Sequence, residues 1–337
     1  MNKRAVLFKS TRRFQAFHAK LEQYNYEVTV LDFDRHDWID FDYSRISLII
    51  YFPEFSFSSN HPQALCKVLD NLYYIHGIHP GIDIFPDPRV IPYYADKYRQ
   101  YLYLRRTSLP TISTVPLLSG ESVAKVAAEL QFPVVVKNRF GAGGDYVFLV
   151  NDRKQLMDYY RASRLDFTTW YSMKCALKAV VNREFWWYLL KSKNMHYPFF
   201  SYPLLAQRFV THDRDLKTVT GFNQVVEAHW RNRSDPRSWK MNIDGGGIGE
   251  WSHVPAKPVS LSIELAKSLG AKWLNIDFMC DGDDYYISEF SPVWHHYAYQ
   301  EKASFVYNKN YNLGIPLEQA LDLEDLIVSS YSRNESC

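Results

Sequence analysis

The chain has 337 residues, of which 47% are hydrophobic, and its formal net charge is +2. This is enough for a substantial core and for two or three subdomains. Because acidic and basic residues are well mixed, the sequence does not predict a nucleic-acid-binding face, which would need clustered basic residues in excess. It also lacks metal-type cysteine spacing, a signal-peptide pattern and an apolar run long enough to cross a bilayer. We therefore expect a cytoplasmic protein with reduced cysteines that binds neither nucleic acid nor membrane.

Strand-like and helix-like segments alternate through the N-terminal part of the chain. Strands are predicted over 5–8, 27–31, 47–51 and 82–85, and helices over 12–24 and 62–76. Such alternation is typical of a small parallel sheet.

A short buried strand over residues 132–138 is followed by a glycine-rich turn and a second strand over residues 146–150. Because glycines lack side chains, the backbone N–H groups of such a turn can approach a bound anion closely. The glycines are Gly141, Gly143 and Gly144. Lys137, near the end of the first strand, adds a positive charge beside them. This hairpin therefore predicts a phosphate-binding site.

A second glycine cluster covers residues 245–247 and Gly249. It follows a group of basic and amide side chains, namely Arg231, Arg233, Arg237, Lys240 and Asn242. The two clusters hold seven of the fourteen glycines, and both lie beside cations. Neither is followed by Gly-Lys-Ser/Thr, so the pattern is not that of a Walker loop.

The segment over residues 152–203 is rich in tyrosine, tryptophan and phenylalanine. Core packing explains most such side chains. There are two alternatives, since aromatic residues are enriched at interfaces. The segment either forms a surface that binds an aromatic or peptide substrate, or it forms a homodimer interface.

The most informative segment is residues 273–292, where apolar and polar residues alternate as in a strand with one polar face. With a three-residue turn at 282–284, Asp277 lies directly opposite Glu289. Two carboxylates in these positions repel each other unless a cation or a shared proton intervenes. Because hard oxygen ligands favour magnesium, we predict a metal-binding hairpin, with an acidic surface hairpin as the alternative.

The segments around this hairpin are predicted as helices and a loop. A helix over residues 262–269, capped by Gly270, leads into it, and a closing helix is predicted over residues 317–330. The loop after the hairpin carries Trp294, His295 and His296. These histidines either bind the second substrate or act as a base, or they are surface residues.

The order of these parts resembles the ATP-grasp family, most closely the branch with glutathione synthetase and the RimK-like ligases that add glutamate to ribosomal protein tails. The resemblance covers residues from about 90 to 300. It adds to the hairpins a helix that opens at Asp96 and Lys97, with its strand over 109–114. The resemblance also includes an adenine-binding interdomain strand over 204–210 and two shorter motifs, over 215–217 and 239–242.

The resemblance implies an α/β (α+β) protein with the ATP-grasp fold and an N-terminal Rossmann-like pre-ATP-grasp domain. The implied domains are residues 1–92, 93–200 with the glycine-loop lid and the aromatic segment, and 201–337 with the metal hairpin. The implied nucleotide-binding residues are Lys97, Lys137, Gly141, Gly143, Gly144, Gln207, Arg208, Phe209, Val210, Asp213 and Lys217. Asp277, Glu289 and Ser291 are the implied ligands of magnesium, with manganese as an alternative.

The function implied is ATP-dependent ligation of a carboxylate to an amine through an acyl phosphate. Small molecules or peptides supply both groups, and Arg231, Lys240 and Asn242 hold the phosphate and the developing oxyanion. Three positions depart from the family, with Ser291 in place of asparagine, Lys217 in place of arginine and Arg208 in place of glutamate. These departures leave a nucleotide-binding regulator without turnover open as an alternative. An ATP-grasp kinase, which would use the same nucleotide site, is a second alternative that the sequence does not exclude.

Overall fold

The computed structural model describes most of the chain. The described residues are 3–9, 11, 13–52, 61–94, 96–140, 147–163, 177, 181, 203–235, 239–241, 247–292, 305–308, 314–317 and 321–333. Within these ranges no helix has both the length and the apolar character that crossing a membrane requires.

The first sheet is parallel and has the strand order β2-β1-β3-β4. Its strands are β1 (Lys3–Phe8), β2 (Tyr26–Leu31), β3 (Leu48–Ile50) and β4 (Asp83–Phe85), with helices α1 (Phe14–Gln23) and α2 (His61–Ile78). The central strands are apolar and almost fully buried, as expected when both faces of a parallel sheet are covered. The predicted parallel sheet is confirmed.

The second sheet is antiparallel and has the strand order β5-β8-β6-β7. Its strands are β5 (Thr114–Pro116), β6 (Val134–Lys137), β7 (Val147–Val150) and β8 (Leu205–Arg208), and the helices of this region are α3 (Lys97–Leu104), α4 (Gly120–Glu129) and α5 (Arg153–Ala162). Helices α4 and α5 share one apolar core with this sheet. The boundary predicted after residue 200 would assign β8 to the last domain, but β8 is hydrogen-bonded between β5 and β6.

The strand predicted over residues 109–114 is displaced, since β5 begins at Thr114. The preceding residues instead contact the hairpin, where the Pro110 carbonyl accepts a 2.9 Å hydrogen bond from the Ile287 N–H and Thr111 forms an isolated bridge to Ile287. Proline has no N–H, so Pro110 cannot donate to a ladder. This segment therefore links the second sheet to the third.

The third sheet is antiparallel and has the order β13-β12-β9-β10-β14-β15, with β11 paired to β10. Its strands are β9 (Arg214–Gly221), β10 (Gln224–Asn232), β11 (Ile248–Glu250), β12 (Trp273–Asp281), β13 (Asp284–Ser291), β14 (Phe305–Asn308) and β15 (Ile315–Pro316). Helix α6 (Ala256–Leu269) covers one face and ends, as predicted, at Gly270 with a φ of 64°. The opposite face carries the charged side chains Lys217, Arg231, Asp277 and Glu289.

The closing helix begins later than predicted and is α7 (Leu323–Arg333). Residues 321–322 are predicted as helix but lie outside α7, and strand β15, which pairs with β14, ends just before the predicted segment begins. Helix α7 packs beside α1, where Arg13 forms a 2.7 Å ion pair with Glu324. Its apolar face joins the core of the first sheet, as does Trp273 at the start of β12.

Candidate active site

The hairpin of β12 and β13 places Asp277 directly opposite Glu289, as predicted. The predicted three-residue turn is wrong, because Asp281 pairs with Asp284 and only Gly282 and Asp283 lie between them. An extra residue, Ser288, bulges out of β13 between the partners of Phe278 and Asp277 and restores the expected pairing.

Each of the two carboxylates is flanked by two cations. Glu289 lies 2.8 Å from the Lys137 ammonium and 3.8 Å from the Lys97 ammonium. Asp277 lies 2.7 Å from the Arg231 guanidinium and 3.7 Å from the Lys217 ammonium. The protein's own basic side chains therefore balance the repulsion expected between the two carboxylates.

Burial and neighbouring charges shift the pKa values of these groups in opposite directions. Burial alone would raise the pKa of Asp277, but Lys217 and Arg231 outweigh it and lower this pKa to about 2. Burial would likewise raise the pKa of Glu289, and Lys137 and Lys97 bring it below its usual value. Burial lowers the pKa of Lys97 despite the attraction of Glu289. Charge on the carboxylates is thus favoured in the folded protein.

Arg231 connects the hairpin of β12 and β13 to β9. Its guanidinium makes hydrogen bonds of 2.5 and 3.0 Å to the two carboxylate oxygens of Asp215, and it also reaches Asp277. Burial would lower the pKa of Arg231, and the two aspartates raise it above its ordinary value. Arg231 therefore bridges two buried carboxylates on neighbouring strands.

Lys97 is held by the start of α3. The Asp96 carboxylate accepts hydrogen bonds from the N–H groups of Tyr98 and Arg99, which caps the helix. The same carboxylate forms a bidentate pair with Arg139, whose carbonyl accepts a 2.9 Å hydrogen bond from the Lys97 N–H. These contacts tie Lys97 to the end of β6, the strand that carries Lys137.

A cavity of about 430 Å³ lies between the second sheet, α3 and β13. Its lining combines Lys97, Lys137 and Glu289 with the polar Gln207 and with apolar side chains such as Ile112 and Ile287. Gln207 donates a 3.1 Å hydrogen bond to the Thr114 hydroxyl. Pockets for small ligands have about this volume and typically combine apolar walls with a few polar groups.

Comparisons with known proteins identify the fold. A family model described as the ATP-binding domain of the carbamoyl-phosphate synthase L chain matches residues 96–182. The ATP-grasp ligase PsnB, solved with a minimal precursor and also with magnesium and ADP, superposes with TM-scores of 0.58 and 0.57. In the first of these the sequence identity is 13%, over 98% of this chain and 99% of that one. The chain has the ATP-grasp fold.

Two further proteins are similar to this chain. A RimK domain ATP-grasp protein from Sphaerobacter thermophilus superposes with a TM-score of 0.57 and 11% identity over 97% of this chain and 98% of that one. Human beta-citrylglutamate synthase B is 24% identical over 208 residues, which are 60% of this chain and 45% of that protein. The chain spans about half the length of the curated relatives it matches.

Most of the other predicted nucleotide-binding residues lie on β8 or in the segment that follows it. Arg208 lies 3.6 Å from Asp281 and 5.3 Å from the centroid of the Tyr286 ring, on the outer part of the hairpin. The remaining residues follow β8: the Phe209 ring lies 6.4 Å from Trp239, the Val210 carbonyl is hydrogen-bonded to the His212 ring and the Asp213 side chain is 99% exposed. Of this group, only Gln207 lines the cavity.

Several predicted residues lie outside the described ranges. They are Gly141, Gly143, Gly144, Asn242, Gly245, Gly246, Trp294, His295, His296 and most of the aromatic segment. Within that segment, Tyr159 and Tyr160 are buried in the core of the second sheet, which supports packing for these two side chains. Lys240 is described, and its ammonium lies 5.4 Å from the centroid of the Trp239 ring.

A buried pair, Glu227 and His229, was not predicted from the sequence. It lies on the face of the third sheet that carries the two carboxylates. The His229 Nδ1 atom lies 2.6 Å from a Glu227 oxygen, which also accepts a 3.1 Å hydrogen bond from Trp251. His229 is paired in register with Lys217, which is paired with Asp277. The pair could have been predicted from the sequence, because Glu227, His229 and Arg231 alternate with apolar residues as the hairpin residues do.

The oxygen-bearing side chains of the hairpin suit a hard cation. Among the described residues, no group of three or more His, Cys, Asp or Glu side chains could hold a metal ion. However, Ser291 lies in register opposite Asn275, whose buried amide oxygen has no hydrogen-bond partner in the part of the chain that the structure describes. Two carboxylates with a neighbouring amide and hydroxyl form an all-oxygen donor set, which is the set that magnesium prefers. The residues therefore fit the implied metal.

The lowered pKa of Asp277 predicts how stability responds to acid when divalent metal is absent. This aspartate stabilises the fold fully above its unfolded pKa near 3.8, and the contribution is lost as the pH falls toward about 2. The contribution is roughly 2 kcal/mol at most. Asp277→Asn should therefore flatten the pH dependence of the unfolding free energy between about pH 5 and 2, as measured by urea denaturation. Asp283→Asn, in the exposed turn, is the control, and equal pH dependence in both variants would contradict the assignment.

Proposed function

We propose that this protein is an ATP-dependent carboxylate–amine ligase that forms an amide or peptide bond and releases ADP and phosphate. The observation that carries the proposal is the pairing of Lys97 and Lys137 with Glu289 in the wall of a cavity large enough for a nucleotide. The ligase PsnB and beta-citrylglutamate synthase B, both similar to this chain, support the reaction class.

In this proposal Lys97 and Lys137 bind the β- and γ-phosphates of ATP. Both ammonium groups are directed at Glu289 in the ligand-free protein, so phosphate oxygens would share or replace these contacts. Asp277, Glu289 and Ser291 would hold magnesium, or manganese, which when bound neutralises charge on the phosphates. Gln207 and the residues that follow β8 would contact the adenosine.

Two chemical steps follow from this arrangement. A substrate carboxylate oxygen attacks the γ-phosphorus, the bond to the β-phosphate oxygen breaks, and ADP and an acyl phosphate form while the lysines neutralise the spreading charge. An amine then attacks the acyl carbon, loses a proton and expels phosphate, which leaves an amide. Arg231, Lys240 and Asn242 are proposed to hold the phosphate and the oxyanion. Arg231 also fixes Asp277 in the free protein.

The substrates in this proposal are a carboxylate and an amine of small-molecule or peptide type, in the cytoplasm. Screening the purified protein against amino acids and short peptides, with ADP release and product mass as readouts, tests it directly. An amide product with stoichiometric ADP supports the ligase. A phosphorylated product would indicate a kinase, and nucleotide binding without turnover would indicate a regulator, so either outcome would overturn the proposed activity.

Nucleotide affinity should depend on both lysines. Lys97→Ala and Lys137→Ala are each expected to weaken ATP binding by roughly 10- to 100-fold, because each removes a charge-assisted contact of about 1.5–3 kcal/mol. Calorimetric titration with ATP provides the measurement. Lys154→Ala, on the exposed side of α5, is the control. Unchanged affinity in both cavity variants would remove the phosphate-binding assignment.

A further inference from the structure

Asn275 is a buried amide beside the two carboxylates of the hairpin. It precedes Asp277 by two residues on β12 and is paired in register with Ser291 on β13. Only 3% of the residue is exposed, and its Oδ1 atom has no hydrogen-bond partner among the described residues. Native structures leave few buried polar atoms unpaired, because each one costs about 1–3 kcal/mol.

The register places this oxygen within the predicted metal site. Side chains two residues apart on a strand share a face, and directly paired residues of neighbouring antiparallel strands point to the same side of the sheet. Asn275, Asp277, Glu289 and Ser291 therefore form a block of four oxygen-bearing side chains.

We propose that Asn275 supplies its amide oxygen to the divalent cation, as a ligand that the sequence did not predict. The inference rests on the proposed function only in assuming that a cation binds at Asp277 and Glu289. Serine offers a short hydroxyl at position 291, whereas the amide across the strand pair offers a carbonyl oxygen. A neutral ligand also leaves the balance of two carboxylates and four cations unchanged.

Mn²⁺ is a suitable probe, because its paramagnetic signal reports free and bound ion directly. Titration with and without ADP should show Asn275→Ala binding Mn²⁺ about tenfold more weakly than the parent. Asn275→Asp, which keeps an oxygen at the same place, should bind Mn²⁺ at least as tightly as the parent. Adding Ser291→Asn to Asn275→Ala should recover affinity, because it returns an amide oxygen to the same face.

Asn232→Ala is the matched control, since this asparagine lies on β10 of the same sheet and hydrogen-bonds to Glu250. Unchanged Mn²⁺ affinity in Asn275→Ala, equal weakening in Asn275→Ala and Asn275→Asp, or no Mn²⁺ binding by the parent would each overturn the inference. Metal-free ADP titration separates this result from the proposed function. If ADP fails to bind while the Asn275 variants behave as expected, the metal ligand stands and the ligase proposal falls.

Discussion

Replacing Glu289 with glutamine is expected to lower magnesium-dependent ADP release by at least about 100-fold, which corresponds to roughly 2.7 kcal/mol of transition-state stabilisation. Glutamine has almost the same shape but no charge, so the cation loses one of its two carboxylates. Lys97 and Lys137 also lose their shared counterion. The fold should persist with reduced stability, because 30% of the Glu289 side chain is exposed and water can solvate the lysines.

The measurement is a magnesium titration of ADP release, accompanied by thermal unfolding. Glu264→Gln, on the exposed side of α6, removes the same charge far from the cavity and should behave as the parent. Activity of Glu289→Gln equal to that of the parent at limiting magnesium would mean that the hairpin is not the metal site.

Replacing Arg231 with alanine should produce the largest loss of stability, about 3–5 kcal/mol in the free energy of unfolding. The reason is that Asp215 would lose its bidentate partner and Asp277 the nearer of its two counterions, while both carboxylates stay largely buried. The free energy of unfolding of Arg231→Lys should lie between those of the parent and of Arg231→Ala, because one ammonium cannot reproduce the bidentate contact with Asp215 and also reach Asp277.

Denaturant titration at neutral pH measures this series. Arg214→Ala, also on the third sheet, is the control and should cost only about 0.5–1 kcal/mol for the lost cation–π contact with Trp230. Adding Asp215→Asn to Arg231→Ala should restore part of the stability, since it removes one uncompensated charge. A double variant no more stable than Arg231→Ala would show that the loss has another cause.

The sequence predicted those parts of the site that depend on local periodicity. The alternation around Asp277 and the lysine at the end of β6 can be read directly, and both lie where expected. The Ser288 bulge could not be read, because a three-residue turn without a bulge and a two-residue turn with one give the same pairing of Asp277 with Glu289. Its position depends on the neighbouring strands rather than on the pattern along β13.

Contacts between distant segments could not be predicted from the sequence. Glu289 meets Lys97 across 192 positions of sequence, and no local pattern encodes that distance. The alternation along β12 could not reveal the place of Asn275, because the burial of its amide oxygen, and the lack of a hydrogen-bond partner for that oxygen among the described residues, are properties of the packed sheet. The roles of the glycine turn and of His295 and His296 stay predictions.

The packing of α7 against the first sheet has a consequence for synthesis. Leu323, Ile327, Val328 and Tyr331 belong to the same core as β1, so that core is incomplete until these residues have left the ribosome. Most domains fold in the order in which they emerge. Here the first sheet to be translated is among the last parts of the molecule to reach its final packing, and its apolar surface must wait for a partner translated some three hundred residues later.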